Sequence, residues 1–453
     1  MNIVIVGAGV LGSYVAKVLS QEGHNIIIVD KDPHRLSEIF HTIDVAIHEG
    51  SGSDWRVLEE LTDLEPDLFI SLTDSDETNL AACTIAKNLG YKQTVASIRA
   101  TEYLDTSRLD FNSLFYADHL ICPDLIVAQE IFRNIGAIDF GSSTVGTFAN
   151  GAVQIQSLVI PNEWEGRGKD MMHLALPEGV MVGLIRRQRE DGEHEIIFPH
   201  GKDRLLPGDE VTFVGETEQV VTLPLFFGIA EKTVKTVVII GGSLTALLLA
   251  EILVRHDINV RFIDKSYQRC EFLSRRMPNA TITHHDGSDT TFLLAERIDT
   301  SDVIITCTRH DEVNILGALT AREIGCNNII ATVGNMSYIP ILEKLGARHT
   351  VSPRVCAANA IRMLTNPNVS VRSMLTLYED RAQIIEVKTA YDSKIAGLPL
   401  SDLGPKLPKD FLICAIQNRG RIFIAKGDRI ICPEDTVVVI SAPKHFQEIG
   451  KIF

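Results

Sequence analysis

The chain has 453 residues, of which 45% are hydrophobic and 23% charged, an ordinary globular composition with material for several cores. Its formal net charge is −16, and an acidic surface repels nucleic-acid phosphates and anionic lipid headgroups, which argues against nucleic acid as a partner and against direct bilayer contact. No apolar run approaches the roughly 20 residues needed to span a membrane, so any membrane association is expected to go through a protein partner.

Met1-Asn2 is followed at once by Ile3-Val4-Ile5-Val6, which reads as a first strand and lacks the basic region and longer apolar core of a signal peptide. Further candidate strands are Ile26–Asp30, Asp44–His48, Leu68–Thr73, Thr94–Arg99 and His119–Cys122, with amphipathic stretches such as Leu11–Gln21 and Glu77–Asn88 between them. Alternation of β-branched strands with helices predicts a doubly wound parallel sheet. From about Asn150 to Phe226 the pattern changes to short β-like runs (Val153–Ile160, Val180–Arg187, Glu195–Phe198, Glu210–Val214) between Pro/Gly turns, which reads as a small α+β domain.

At Lys235 the first pattern starts again. Val6-Gly7 aligns with Ile240-Gly241, Val29-Asp30 with Ile263-Asp264, and Gly52-Ser53-Asp54 with Gly287-Ser288-Asp289. Asp76-Glu77-Thr78-Asn79 aligns with Asp311-Glu312-Val313-Asn314, and His119 to Pro123 with His349 to Pro353. Pro207-Gly208-Asp209-Glu210-Val211 is echoed by Pro433-Glu434-Asp435-Thr436-Val437. The expected organisation is two tandem Rossmann-like halves, each followed by a small α+β domain, with units at residues 1–135, 140–228, 234–367 and 370–453. The cysteines, Cys83 to Cys432, are scattered without a C-x-x-C pair, which reads as buried reduced thiols in a cytoplasmic protein.

Gly7-Ala8-Gly9-Val10-Leu11-Gly12 directly follows the first strand and opens the first helix. The first glycine permits a tight turn, the second lets backbone approach a pyrophosphate, and the third lets helix pack close to strand. Backbone N–H groups and the positive end of the helix dipole then face the phosphates. Asp30, ending the second strand, is placed to accept hydrogen bonds from both adenosine ribose hydroxyls and, with Asp32, to repel a 2′-phosphate, which favours NAD or NADH over NADP(H). Thr73 and Asp74, just past the fourth strand, are expected at the ribose or pyrophosphate. Arg99, ending the fifth, is expected at a phosphate or nicotinamide ribose, or else in a surface ion pair with Asp74 or Glu102. Replacement of Asp30 by alanine is expected to lower nucleotide affinity without unfolding the domain.

The second turn, Gly241-Gly242-Ser243-Leu244-Thr245-Ala246, keeps the first glycine but places Ser243 and Ala246 at the second and third positions. Ser243 is expected to crowd a pyrophosphate, whereas Ala246 is tolerable at a helix–strand contact. Asp264 remains and leaves ribose binding open, but the Arg99 equivalent falls at Gly334. The second site reads as degenerate, and its Asp264→Ala variant is expected to lose less than Asp30→Ala. A dehydrogenase needs a general acid or base and a substrate clamp in a second domain. The candidate region holds His173, His194 and His200 in turn-like polar surroundings, and Arg186-Arg187-Gln188-Arg189 reads as a solvated hairpin end. His284 and His285 are adjacent on a strand, point to opposite faces and make a poor metal grip. The alternatives to a regulatory binding module are an NAD-dependent oxidoreductase, for which no catalytic acid is found, and a nucleotide or redox sensor of another partner.

The tandem layout, with Val6 to Gly12, Val29-Asp30, Gly50-Ser51-Gly52-Ser53, Thr73-Asp74-Ser75-Asp76-Glu77-Thr78-Asn79 and Ser97-Ile98-Arg99, resembles the TrkA family of regulatory subunits of bacterial Trk potassium uptake, built from two KTN (RCK-type) and two TrkA-C domains. The resemblance covers essentially the whole chain. It implies a non-enzymatic, peripheral subunit on the cytoplasmic face of the plasma membrane, gating a potassium-translocating subunit of the TrkH/TrkG type and assembling into a tetrameric ring. It implies NAD or NADH as the bound nucleotide, with ATP or ADP in some members. By family pattern the contacts fall on Gly7 to Leu11, Asp30, Thr73, Asp74 and Arg99, with Gly241 and Asp264 at the weaker second site. Ser13 stands where some relatives carry a basic residue, a departure that tells against ATP at the first site.

Overall fold

The computed structural model describes residues 1–453 apart from 140–141, 150, 165, 167–168, 190–192, 230–233, 348, 366–369, 379–380, 392, 394, 405–406 and 419. Among the described residues, the first β-branched runs form a parallel sheet of β1 (Asn2–Val6), β2 (Asn25–Asp30), β3 (Ala46–Glu49), β4 (Leu68–Ser71), β5 (Gln93–Ser97) and β6 (His119–Ile121), in the order β3-β2-β1-β4-β5-β6. Helices cover both faces, so Ile3, Val4 and Ile5 are all fully buried, which is why the strand sequence is unbroken apolar rather than alternating. The strand order reverses between β1 and β4, and such a switch point leaves a crevice at the carboxyl ends of the strands.

The same sheet recurs as β12 (Thr236–Ile240), β13 (Asn259–Asp264), β14 (Thr281–His284), β15 (Val303–Thr306), β16 (Ile329–Thr332) and β17 (His349–Val351), ordered β14-β13-β12-β15-β16-β17. Between and after the parallel sheets lie two antiparallel ones. The first joins β7 (Ser142–Phe148), β8 (Val153–Val159), β9 (Val180–Gln188), β10 (His194–Ile197) and β11 (Glu210–Glu216); the second joins β18 (Ser370–Leu377), β19 (Ala382–Lys388), β20 (Phe411–Asn418), β21 (Arg421–Ile424) and β22 (Thr436–Ser441). The expected doubly wound halves with small α+β units are therefore present. β7 was not among the expected strands. β4 and β5 stop at Ser71 and Ser97, short of the expected Thr73 and Arg99, because those residues leave the sheet to form loops at its carboxyl edge. The unit edges at residues 140 and 367 lie outside the described residues.

The halves interlock. Helix Pro123–Asp139 leaves the first sheet to pack on helix Leu244–Arg255 of the second half, and helix Pro353–Arg362 packs on helix Val10–Gln21 of the first. Val127 and Ile131 share a core with Leu249 and Leu253, while Ala358 and Ile361 enter the core of Val15 and Leu19. Arg362 reaches Glu22 at 2.6 Å with side chains only 3% and 15% exposed. At the matching place in the other crossing, the rings of Phe132 and His256 lie 4.6 Å apart. The small sheets pack face to face through Ile155, Leu184 and Val214 against Ile384, Ala415 and Ile440, and the Ala149 N–H donates to the buried Glu386 carboxylate at 2.9 Å. Among the described residues no helix is long and apolar enough to cross a membrane. The cysteines are free thiols, buried except for Cys356 and the exposed Cys432, and burial pushes Cys83 up to about 12 and Cys122 up to about 11.

Candidate nucleotide site

β1 runs into Gly7 at φ +105°, where a Cβ would stand 2.8 Å from the Leu72 carbonyl oxygen, so the turn admits only glycine. At Gly12 a Cβ would meet the Gly7 carbonyl oxygen at 1.9 Å, which is the close helix–turn contact that the third glycine permits. Gly9 differs from both. A Cβ there would find no atom within 4 Å, so the turn is open above it. Gly9 is also the N-cap of helix Val10–Gln21 and supplies no side-chain cap, leaving first-turn N–H groups at the positive end of the helix without a side-chain acceptor. Ala8 lies buried beneath the turn, and Val10 is 66% exposed on its rim. Open space above uncapped N–H groups fits a pyrophosphate.

Asp30 is buried at the end of β2. One carboxylate oxygen accepts the Ala8 N–H at 2.6 Å and the other the Asp32 N–H at 2.9 Å. The side chain therefore holds the glycine turn in shape, a role its sequence position did not announce, and each oxygen keeps a further lone pair toward a ribose hydroxyl. Thr73 lies at the same edge, but its hydroxyl is engaged with Asn79 Oδ1 at 2.7 Å. Asp74 and Arg99 project outward, their side chains 91% and 60% exposed and 3.9 Å apart, so the surface ion pair anticipated for Arg99 is present as a long contact. The backbone N–H groups of Arg99 and Ala100 both donate to Asp76, at 2.9 Å each to its nearer oxygen.

Asp76 and Asn79, which entered the sequence reading through the repeat and the family resemblance and not as site residues, shape this edge. Asn79 is buried and bonds Ser71, Thr73 and the Ser97 carbonyl, stapling the ends of β4 and β5. Their counterparts repeat the pattern: Asp311 accepts from the Gly334 and Asn335 N–H groups at 2.8 Å, and Asn314 bonds Thr308 and the Thr332 carbonyl. The signal was present in the repeat. A pair retained in both halves, when the glycine turn is not, belongs to the frame.

The second turn keeps the geometry of the first and fills its opening. Gly241 has φ +102°, and Asp264 accepts the Gly242 N–H at 2.6 Å and the Ser266 N–H at 2.7 Å. Ser243, in the place of Gly9, caps helix Leu244–Arg255 by accepting the Ala246 N–H at 3.1 Å. Arg269 lies across the turn, its Nε donating to the Gly242 carbonyl and its Cγ 2.8 Å from where a Cβ of Gly242 would be. The Arg99 position is Gly334, beside which the Nε of Arg354 comes within 3.5 Å of the missing Cβ.

Away from the turns, Arg186 corrects one expectation. It is no solvated hairpin residue: its guanidinium bonds Glu210 and Glu343, each at 3.1 Å, with 17% of the side chain exposed. Arg187 is likewise not free in solvent, since it bonds the buried Asp209 at 2.7 Å, whereas Arg189, past the end of β9, stays exposed. A cavity of about 300 Å³ opens there, lined by Arg133, Arg186, Glu210, Glu343 and Tyr378, but its arginines are already ion-paired, Arg133 with Glu130. His284 bonds the Lys265 carbonyl and His285 stacks on Phe292. Among the described residues no cluster of metal-ligating side chains forms.

Models of the TrkA-N domain match residues 3–123 and 237–353, and models of the TrkA-C domain match residues 158–225 and 384–453. The Trk system potassium uptake protein TrkA homolog 1 of Methanosarcina mazei is 31% identical, and the TrkA homolog of Archaeoglobus fulgidus 32% identical, each over the full length of both chains. TrkA of Haemophilus influenzae is 29% identical over all of this chain and 98% of its own. Among solved structures, the GsuK RCK domain superposes with TM-score 0.63 at 17% identity, covering 99% of this chain and 94% of that one. The GsuK channel bound to NAD superposes with TM-score 0.64 at 17% identity, covering 99% and 78%. At that identity the structural likeness establishes the fold.

Proposed function

The chain belongs to the TrkA family, and on that premise we propose that it is a non-enzymatic regulatory subunit of potassium uptake that binds NAD or NADH at its first glycine turn. The observation that carries this reading is the open face above Gly9, with uncapped N–H groups at the helix start and Asp30 fixed at the adjoining strand end. In this reading Gly7, Ala8, Gly9, Val10, Leu11 and Gly12 form the pyrophosphate cradle, Asp30 takes the adenosine ribose, and Asp74 and Arg99 stand at the far end, with Thr73 bracing their loop. Gly241 and Asp264 retain the shape of a second cradle without its opening. The bound nucleotide supplies redox or energy status as a signal, and the chain's part is to bind it more tightly in one conformation than in another. ADP is the alternative nucleotide, since the GsuK structures include one bound to ADP.

The same proposal places the chain on the cytoplasmic side of the membrane, docked as a homo-oligomeric, tetrameric ring on a translocating subunit of the TrkH/TrkG type. Interlocked halves suit such a role, because a change at one turn is carried through helix Pro123–Asp139 into the other half. The test is potassium uptake by vesicles holding the translocating subunit, with the purified chain added on the cytoplasmic face with and without NADH. Uptake that responds to NADH while its absorbance stays constant supports the reading. Uptake indifferent to nucleotide sinks the regulatory role, and oxidation of NADH on adding a carbonyl substrate makes the protein an oxidoreductase.

A further inference from the structure

Asp124 stands in the first turn of helix Pro123–Asp139, just beyond β6 of the first half, yet its partner lies in the other half. Its Oδ1 is 2.5 Å from the hydroxyl of Thr245, the donor, in the first turn of helix Leu244–Arg255. That turn follows the second glycine motif and is the place where a nucleotide phosphate would sit if this half were loaded. The floor of the same turn is Cys307, whose Sγ lies 3.3 Å from the Ser243 hydroxyl. Its thiol is pushed up to about 11 by burial, with the Asp124 charge adding to the effect, which agrees with a carboxylate close above the turn. On the other side of the turn lies the Arg269 stem. Thus a carboxylate stands at the first helical turn after the second glycine motif, and the Arg269 stem crosses the motif at Gly242.

The first turn has no such cover. Leu11 replaces Thr245 and has no hydroxyl, and the residue matching Asp124 after the shared proline is Arg354. Helix Pro353–Arg362 packs on helix Val10–Gln21 as helix Pro123–Asp139 packs on Leu244–Arg255. The two crossings therefore differ: Asp124 reaches across to Thr245 of the other half, whereas Arg354 lies beside Gly334 of its own half. A carboxylate at a helix N-terminus is favoured by the same N–H groups and dipole that favour a phosphate, so the two compete for one place.

We propose that Asp124 is the resident anion of the second glycine turn, and that it restricts nucleotide binding to the first half. The inference rests on the nucleotide reading of the first turn. It assigns the one-sidedness of the molecule to a residue contributed across the interface, with Ser243 in a lesser part because its hydroxyl is folded back onto the Ala246 N–H. Asp124→Asn keeps an oxygen that can accept from Thr245 and removes only the charge, so folding is expected to be retained.

The experiment is calorimetric titration of the full chain with NADH, counting sites, for the wild type, Asp124→Asn, Ser243→Gly and the double variant, with melting temperatures as the control for folding. The expected result is one site in the wild type and in Ser243→Gly, and two in the double variant. In Asp124→Asn the second-turn affinity is expected to rise at least tenfold. A second site gained by Ser243→Gly alone would assign the barrier to the serine and overturn the proposal. One site in a folded double variant would overturn it too, as would two in the wild type. No binding to the wild type would instead remove the nucleotide reading on which the inference rests, a result distinct from all the others.

Discussion

Set side by side, the two glycine turns share the first glycine, the aspartate latch and the strand-end staples, and differ at the start of the helix that follows. Both begin on a glycine with φ near +100°, at +105° and +102°. Both are latched by an aspartate that accepts the N–H of the next residue at 2.6 Å, Asp30 from Ala8 and Asp264 from Gly242. Both are backed by an aspartate and an asparagine that pin the neighbouring strand ends. At the helix start they part. The first half leaves Gly9 bare, whereas the second caps its helix with Ser243 and receives Asp124 from across the interface. The latches and staples that recur in both halves hold the frame, and the open helix start found at Gly9 is what sets the first half apart.

The crossings of the terminal helices extend the comparison and predict its largest effect. Arg362 with Glu22 is a buried ion pair, while Phe132 with His256 is a ring contact at the matching place. Arg362→Ala breaks this buried ion pair and is expected to lower unfolding free energy by about 3–5 kcal/mol. Phe132→Ala, losing a half-buried ring, is expected to cost less, and denaturant unfolding of the two variants checks the order. A larger loss from Phe132→Ala would break this part of the comparison.

Gly9→Asp tests the open turn directly. A Cβ placed there meets no atom within 4 Å, and aspartate is a better N-cap than glycine by a few tenths of a kcal/mol. The melting temperature is therefore expected to hold or rise slightly. Nucleotide affinity is expected to fall at least about 100-fold, since like charges brought together cost several kcal/mol. Next in size is the paired test of the latches. Asp30→Ala and Asp264→Ala each strip acceptors from two backbone N–H groups and are expected to destabilise their halves alike, by about 1–3 kcal/mol. Only Asp30→Ala is expected to weaken NADH binding. Equal losses of affinity from both would erase the difference between the halves. The smallest effect is expected from Ser243→Ala, a loss of about 1 kcal/mol in thermal stability from the missing cap, with NADH binding unchanged.

The repeat, the parallel sheets and the glycine turns were legible in the chain because their signals are local: apolar runs, periodic helices, glycines at set spacing. The departures of the second turn, Ser243 at the place of Gly9 and Gly334 at that of Arg99, were legible for the same reason. The contacts that join the halves were not. Asp124 meets Thr245, Arg186 meets Glu343 and Arg362 meets Glu22 across long stretches of sequence, and nothing beside those residues marks their partners. Arg186 misled for a further reason. A run of neighbouring arginines reads as solvated, and the carboxylates that pair Arg186 and Arg187 lie elsewhere in the chain. Asp30 ends β2 as expected but was read for one task, since a backbone N–H donating to its carboxylate leaves no trace in sequence.

The most direct test of the account is the number of NADH molecules bound per chain at saturation, measured by calorimetry on the wild type and on Gly9→Asp together. The account predicts one per chain in the wild type and none in Gly9→Asp at an unchanged melting temperature. Two per chain in the wild type, or undiminished binding in Gly9→Asp, would contradict it.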